Sequence, residues 1–314
     1  MKLALVLLLI NSLFMPGLAQ TTNLKMKNML APYPNQVSYL TLSDTIELAY
    51  MDEGTGDETL IFIHGLASYN TAWEHVFGNL SKNYRCVAVD LPGYGRSSKG
   101  CYPSTMSFYA DIIAQMIKKL RLKNVVLVGH SMGGQIAITT TLNYPEKVSK
   151  LVLLAPAGFE TFNEDDRKAI TSFYTVESIL NASDEQIRTN FKYNFYNMPA
   201  YIDKLIQERI AMAEASDFEL YCHSVVNGVH GMLDEPVFNR LKEIEKESLV
   251  LYGANDFLIP NKLLHPSLTT SSVGRSGADQ MQNCQLKFID ECGHFMQLEK
   301  PAEVISEIRH FLKN

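Results

Sequence analysis

Six short apolar runs, at residues 60–63, 86–89, 125–128, 151–154, 249–252 and 286–289, constrain this chain more than any other feature. A strand with one wet face alternates apolar and polar residues, whereas a strand covered on both faces reads as a nearly continuous apolar run. Most of these runs are separated by helix-length segments of mixed polarity, which predicts a mostly parallel sheet with helices on both faces. Helices are predicted over 73–80, 106–120 and 134–143, the second because Phe108, Ile112, Ile113, Met116, Ile117 and Leu120 fall on one face. Residues 37–51 read as two short antiparallel strands around Ser43-Asp44, with alternation in Ile46-Glu47-Leu48-Ala49-Tyr50.

The strand pattern lapses after Ala157 and resumes at about Glu247, and residues 201–214 between them have helical periodicity. This predicts an inserted helical lid over 158–247 that divides one α/β core into 20–157 and 248–314, an arrangement a chain of 314 residues accommodates. The lid is rich in aromatic residues (Phe173, Tyr174, Phe191, Tyr193, Phe195, Tyr196, Tyr201). Each is assigned to packing of the lid in preference to lining an apolar substrate pocket. Residues 265–283, with many Ser, Thr and Gly and little periodicity, are expected to form a long surface loop.

At the start, Lys2, the apolar stretch 3–10 and Gly17-Leu18-Ala19 match an export signal, residues 1–19, cleaved near Ala19. Asn11, Ser12 and Pro16 interrupt the stretch well short of the roughly 20 residues of a spanning helix, and no cysteine lies there to carry a lipid. A soluble protein outside the cytoplasm, with no stable membrane anchor, is therefore expected. A net charge of −6 without a basic run excludes a phosphate backbone as partner, so no nucleic acid is expected. The five cysteines (86, 101, 222, 284 and 292) form no CxxC pair, so no structural metal is expected. Cys284 and Cys292 are the one pair close in sequence, and Cys86 sits in an apolar run as a small buried hydrophobe.

The chemistry concentrates in Gly129-His130-Ser131-Met132-Gly133, a G-x-S-x-G pentapeptide between the β-branched run 125–128 and a helix. A sharp strand-to-helix turn of this kind strains the serine backbone and presents its hydroxyl at a helix N-terminus, where developing negative charge is favoured. Ser131 is thus the candidate nucleophile. A serine needs a base and an acid to orient the base. Asp256 follows the run 249–252 and His294 follows 286–289, so both emerge at the carboxyl edge of the sheet, where the elbow also lies. Asp290 and Glu291 are rivals for the acid, but they belong to the histidine's own strand end.

These pieces stand in order with His64-Gly65 and Trp73, Asp90-Leu91-Pro92-Gly93-Tyr94-Gly95-Arg96-Ser97, Gly253-x-x-Asp256-x-x-x-Pro260, and Gly293-His294 before Glu299-x-Pro301. In this the chain resembles the α/β-hydrolase fold superfamily, in the branch of lidded esterases, lipases, haloperoxidase-like enzymes and carbon–carbon bond hydrolases. The resemblance implies an oxyanion hole from the backbone N–H groups of Leu66 and Met132, a bracing role for His64, and no metal or organic cofactor. The stretch between Asp256 and His294 is longer than in that branch. The expected activity is hydrolysis of a small to medium, largely apolar ester through an acyl-enzyme on Ser131. Two rivals stand beside it: meta-cleavage-type hydrolysis of a carbon–carbon bond in a vinylogous diketone, and a ligand-binding protein with slow or no turnover. Peptide release from an N-terminal residue lacks an assignable lid carboxylate for the ammonium group. The sequence is silent on oligomeric state.

Overall fold

The computed structural model describes residues 23–313; the expected export signal lies outside them. Eight strands form one sheet: β1 (Val37–Thr41), β2 (Glu47–Glu53), β3 (Thr59–Ile63), β4 (Arg85–Val89), β5 (Val125–His130), β6 (Lys150–Leu154), β7 (Ser248–Gly253) and β8 (Cys284–Ile289). Their spatial order is β1-β2-β4-β3-β5-β6-β7-β8. The pairs β1–β2 and β2–β4 are antiparallel and all others parallel. All six apolar runs are strands. β3, β5 and β7 are buried along their whole length, as strands covered on both faces must be.

The connectivity decides where chemistry can sit. The chain leaves β3 toward β4 on one side and returns to β5 on the other, so β3 and β5 are neighbours whose following loops diverge. Ile63 pairs with Gly129, which places the turn after β3 beside the turn after β5 at the carboxyl edge. A crevice at such a switch point is where open α/β sheets bind ligands.

Two expectations need correction. Residues 265–283 are not a surface loop throughout: Thr270–Ala278 is a helix, and it supplies the crossover between the parallel strands β7 and β8. Thr269 caps it reciprocally with Ser272. Its Ser/Gly composition hid the helical signal because the face against the sheet is built from small residues, with Gly274 against Tyr252 and Phe288 and Gly277 against Phe159. Secondly, the lid aromatics are packed less fully than expected, with Phe191 against the small apolar core and Tyr201 against His75. Among the seven, Phe195 is buried, but Phe173, Tyr174, Tyr193, Tyr196 and Tyr201 are exposed, Phe173 at 76%.

Between β6 and β7 the described residues contain five α-helices (Glu164–Phe173, Val176–Leu180, Asp184–Tyr193, Ile202–Ala211, Phe218–Asp234) and no strand. Ile187, Phe195, Ile202, Ile206 and Leu298 form a small apolar core apart from the main one. No helix among the described residues is long and apolar enough to cross a membrane. All five cysteines are free, Cys284 and Cys292 included, and Cys86 is buried.

Candidate active site

Ser131 follows β5 directly and stands at the N-cap of the helix Met132–Asn143, which begins two residues earlier than the sequence pattern indicates. Its φ of 53° and ψ of −118° are a strained conformation for a residue with a side chain. The strain is held by close packing: a Cβ on Gly133 would lie 2.1 Å from the Ile63 carbonyl oxygen, so only glycine lets the helix start against β3. Met132 is the first helical residue, and its N–H has no acceptor within the helix. A Cβ on Gly65 would lie 3.2 Å from the Ser131 Cβ, so the turn after β3 runs directly past the serine.

Asp256 and His294 meet at the ends of β7 and β8. Asp256 Oδ2 lies 2.7 Å from His294 Nδ1. Its Oδ1 accepts the N–H groups of Leu258 (2.8 Å) and Ile259 (3.0 Å). Both residues are buried, at 4% and 3% exposure, so the pair is shielded from water. The rivals Asp290 and Glu291 are exposed. The elbow meets this pair through His130, whose Nε2 lies 3.0 Å from the His294 carbonyl oxygen with the two rings 4.8 Å apart.

Of the other imidazoles near the serine, His64 has both ring nitrogens bonded, and His130 has Nε2 bonded and Nδ1 buried without a partner among the described residues. His64 Nδ1 donates to the Gly65 carbonyl (2.8 Å), and its Nε2 accepts the Leu91 N–H (3.1 Å). Burial lowers its pKa to about 4, so it is a neutral brace for the loop carrying Leu66. Burial likewise holds His130 well below the ordinary histidine range. Of these three histidines, His294 is the one with a carboxylate on Nδ1. Asp90, fully buried, secures the other end of the loop by accepting the Asn70 N–H (2.8 Å), the Tyr33 hydroxyl (2.7 Å) and the Arg96 N–H (2.7 Å). The Asp90–Gly95 segment is the strand-end turn its Pro and Gly residues suggest.

The lid closes over this loop. Tyr221 Oη donates to the Ala67 carbonyl (3.3 Å), and Gly228 packs against Leu66 and Met132. Arg209 lies over the rings of Phe218 (5.0 Å) and Tyr221 (5.7 Å), with Nη1 buried and unpartnered among the described residues. Glu208 beside it accepts the Tyr69 hydroxyl through Oε2 (2.5 Å), and its Oε1 is buried and unpartnered among the described residues. Sequence reasoning missed Arg209 and Tyr221, because nothing local distinguishes one polar or aromatic lid residue from its neighbours, and missed the contact of His130 with His294, because it joins residues far apart in the chain. A second cluster, also unforeseen, joins the lid base to the loop after Asp256: His265 Nδ1 contacts Glu160 (2.6 Å), and its Nε2 contacts Asp166 (3.4 Å).

Comparison with known proteins agrees with this architecture. The profile of the α/β hydrolase fold matches residues 58–301. The 2-hydroxy-6-oxononadienedioate/2-hydroxy-6-oxononatrienedioate hydrolase of Burkholderia vietnamiensis is 27% identical over 280 residues, 85% of this chain and 91% of that protein. Among solved structures, a "probable hydrolytic enzyme" of Pseudomonas aeruginosa superposes with a TM-score of 0.83 at 24% identity, covering 94% of this chain and 100% of that one. The esterase of Exiguobacterium antarcticum superposes with a TM-score of 0.74 at 22% identity, covering 89% and 100%. With the profile spanning most of its length and the elbow at the sheet's switch point, the chain belongs to the α/β-hydrolase fold family and is a hydrolase of that fold.

Proposed function

We propose that this protein hydrolyses a carbon–carbon bond next to a ketone in a vinylogous diketone that carries a carboxylate, with Ser131 as nucleophile, His294 as base and Asp256 as the orienting acid. The observation that carries the choice over a simple ester is Arg209. A buried guanidinium nitrogen without a partner is costly, and a hydrocarbon acyl chain gives it nothing to bind. A substrate carboxylate would satisfy it. The relatives named as dienedioate hydrolases act, by that name, on diacids, which supports the same reading.

In this mechanism Ser131 Oγ attacks the ketone carbon while His294 Nε2 takes its proton, and Asp256 balances the imidazolium through Nδ1. The oxyanion is met by the N–H groups of Met132 and Leu66, each worth about 3 kcal/mol of barrier. Collapse breaks the carbon–carbon bond, the departing carbon is stabilised as a conjugated enolate, and His294 returns the proton to it. The acyl group left on Ser131 is released by water that His294 deprotonates.

The test is a panel of 2-hydroxy-6-oxodienoic acids with and without a second carboxylate, run beside p-nitrophenyl esters of increasing acyl length. Turnover of the acids with the larger kcat/KM supports the proposal. Turnover of esters alone returns the activity to an esterase, and binding without turnover makes the protein a receptor on this fold. Failure of a fluorophosphonate to label Ser131 would remove the nucleophile.

A further inference from the structure

One side chain gathers backbone donors from both the lid and the histidine loop. Glu299 Oε2 accepts the Gly293 N–H (2.7 Å) and the Tyr196 N–H (3.2 Å), while Oε1 accepts the Asn197 N–H. From the lid side, the Asn194 carbonyl accepts the N–H groups of His294 (2.8 Å) and Phe295 (3.1 Å). The approach is close: a Cβ on Gly293 would lie 2.7 Å from the Tyr196 nitrogen and 2.8 Å from the Asn194 oxygen. Phe195 packs at a tilt against Phe295 (5.9 Å) and shares the small apolar core with Leu298. Residues 194–197 are thus part of the wall that holds His294, although they lie a hundred residues away in the chain.

We propose that Glu299 is a positioning residue that makes the placement of His294 depend on docking of the lid segment 194–197. Three backbone N–H groups from two chain segments converge on this carboxylate. Charge-assisted bonds of this kind are shorter and about twice as strong as neutral ones. Without the carboxylate these donors face one another unpaired, residues 196–197 lose their tie to the histidine loop, and the Asn194 carbonyl is left to hold His294 and Phe295 without that support. The imidazole is then free to drift relative to Ser131, and a misplacement of about 1 Å can cost about 10²-fold in rate. The lid in this arrangement does more than cover the substrate: its seated state completes the base. This rests on His294 being the base.

The experiment compares the full chain with Glu299→Gln, Tyr201→Phe and His294→Ala. Three readouts are used: kcat and KM with p-nitrophenyl acetate, the rate of Ser131 labelling by a small alkyl fluorophosphonate, and the melting temperature. Glutamine keeps the shape but turns an N–H donor toward the backbone donors. Tyr201→Phe deletes a neighbouring lid tie, the bond from Tyr201 Oη to the Leu298 carbonyl, and leaves Glu299 in place. The expected result for Glu299→Gln is kcat lower by about 10- to 100-fold with KM within about threefold, and labelling slowed in proportion. Tyr201→Phe should stay within about threefold in both. A small probe that needs no lid contact reads the serine–histidine relay itself, which a purely structural role would leave unchanged once the protein is folded by its melting curve. Wild-type labelling in Glu299→Gln, with His294→Ala inactive, overturns the proposal and spares the base. An equal loss in Tyr201→Phe also overturns it, because the effect would then belong to loosening of the lid in general. An active His294→Ala removes the base and the proposal together.

Discussion

Replacing Asp256 with asparagine separates geometry from charge, because the structure dictates how the amide must sit. One carboxylate oxygen holds the N–H groups of Leu258 and Ile259, and the other holds His294 Nδ1. An asparagine that turns its oxygen to the histidine leaves two buried N–H groups facing an NH2, at about 1–3 kcal/mol each. It therefore keeps its oxygen on the backbone and presents the NH2 to Nδ1. Nδ1 must then accept, the ring proton moves to Nε2, and no lone pair remains for the Ser131 proton. Reaching the productive tautomer costs the flip, about 2–6 kcal/mol. At about 1.4 kcal/mol per decade this is a loss of about 30- to 10⁴-fold, the upper end matching the roughly 10⁴-fold loss for the same change in the chymotrypsin-type triad. We expect kcat for p-nitrophenyl acetate to fall by about 30- to 10⁴-fold with little change in melting temperature. Asp290→Asn and Glu291→Gln, both exposed, should remain within about tenfold of wild type. An Asp256→Asn enzyme within tenfold of wild type, or an inactive rival variant, would refute the reasoning.

Arg209→Met should weaken kcat/KM for a dicarboxylic substrate by about 10- to 150-fold, the worth of a charged hydrogen bond, and leave a neutral ester nearly unchanged; equal losses on both would show that Arg209 serves only the lid. His265 gains a raised pKa, chiefly from its bond to Glu160 with a further contribution from Asp166. Its stabilisation is therefore complete below the unfolded value of about 6.5 and lost as pH rises through the higher folded value. Melting curves should show His265→Gln less stable than wild type at low pH, with the gap closing as pH rises, and a gap independent of pH would count against the ion pair. Removal of residues 1–19 on export is proposed from their pattern, and N-terminal sequencing of the native protein checks it. A start at or near Gln20 is expected, which leaves intact the packed segment in which Leu24 accepts the Ser216 N–H and Met26 donates to Asp217; a start at Met1 would refute it.

The sheet was legible because burial on both faces forces its signal into consecutive residues. The runs 60–63, 125–128 and 249–252 needed no partner to be recognised. The elbow was legible because the glycines flanking Ser131 and the adjoining strand and helix are local requirements of a strained turn. Asp256 was separable from Asp290 and Glu291 because each strand end delivers a single loop to the edge, and order along the chain says which. Tertiary structure alone decided what depends on residues distant in sequence meeting. The helix Thr270–Ala278 reads as a loop until Tyr252, Phe288 and Phe159 supply the surface its small face fits. The lid aromatics read as packing because composition carries no orientation, and the fold leaves Phe173 and its neighbours in solvent. Arg209 is an ordinary charged residue in the sequence, and Glu299 is marked there only by its place in the Gly293-His294…Glu299-x-Pro301 pattern, which says nothing of what it binds. The half-buried Arg209 comes to lie over Phe218 and Tyr221 with one buried, unpartnered nitrogen, and Glu299 becomes one link between lid and histidine loop, because the inserted segment folds back on the carboxyl edge. Local sequence encodes backbone strain and two-sided burial, whereas the charges a lid presents to a substrate are fixed by where a chain of helices comes to rest.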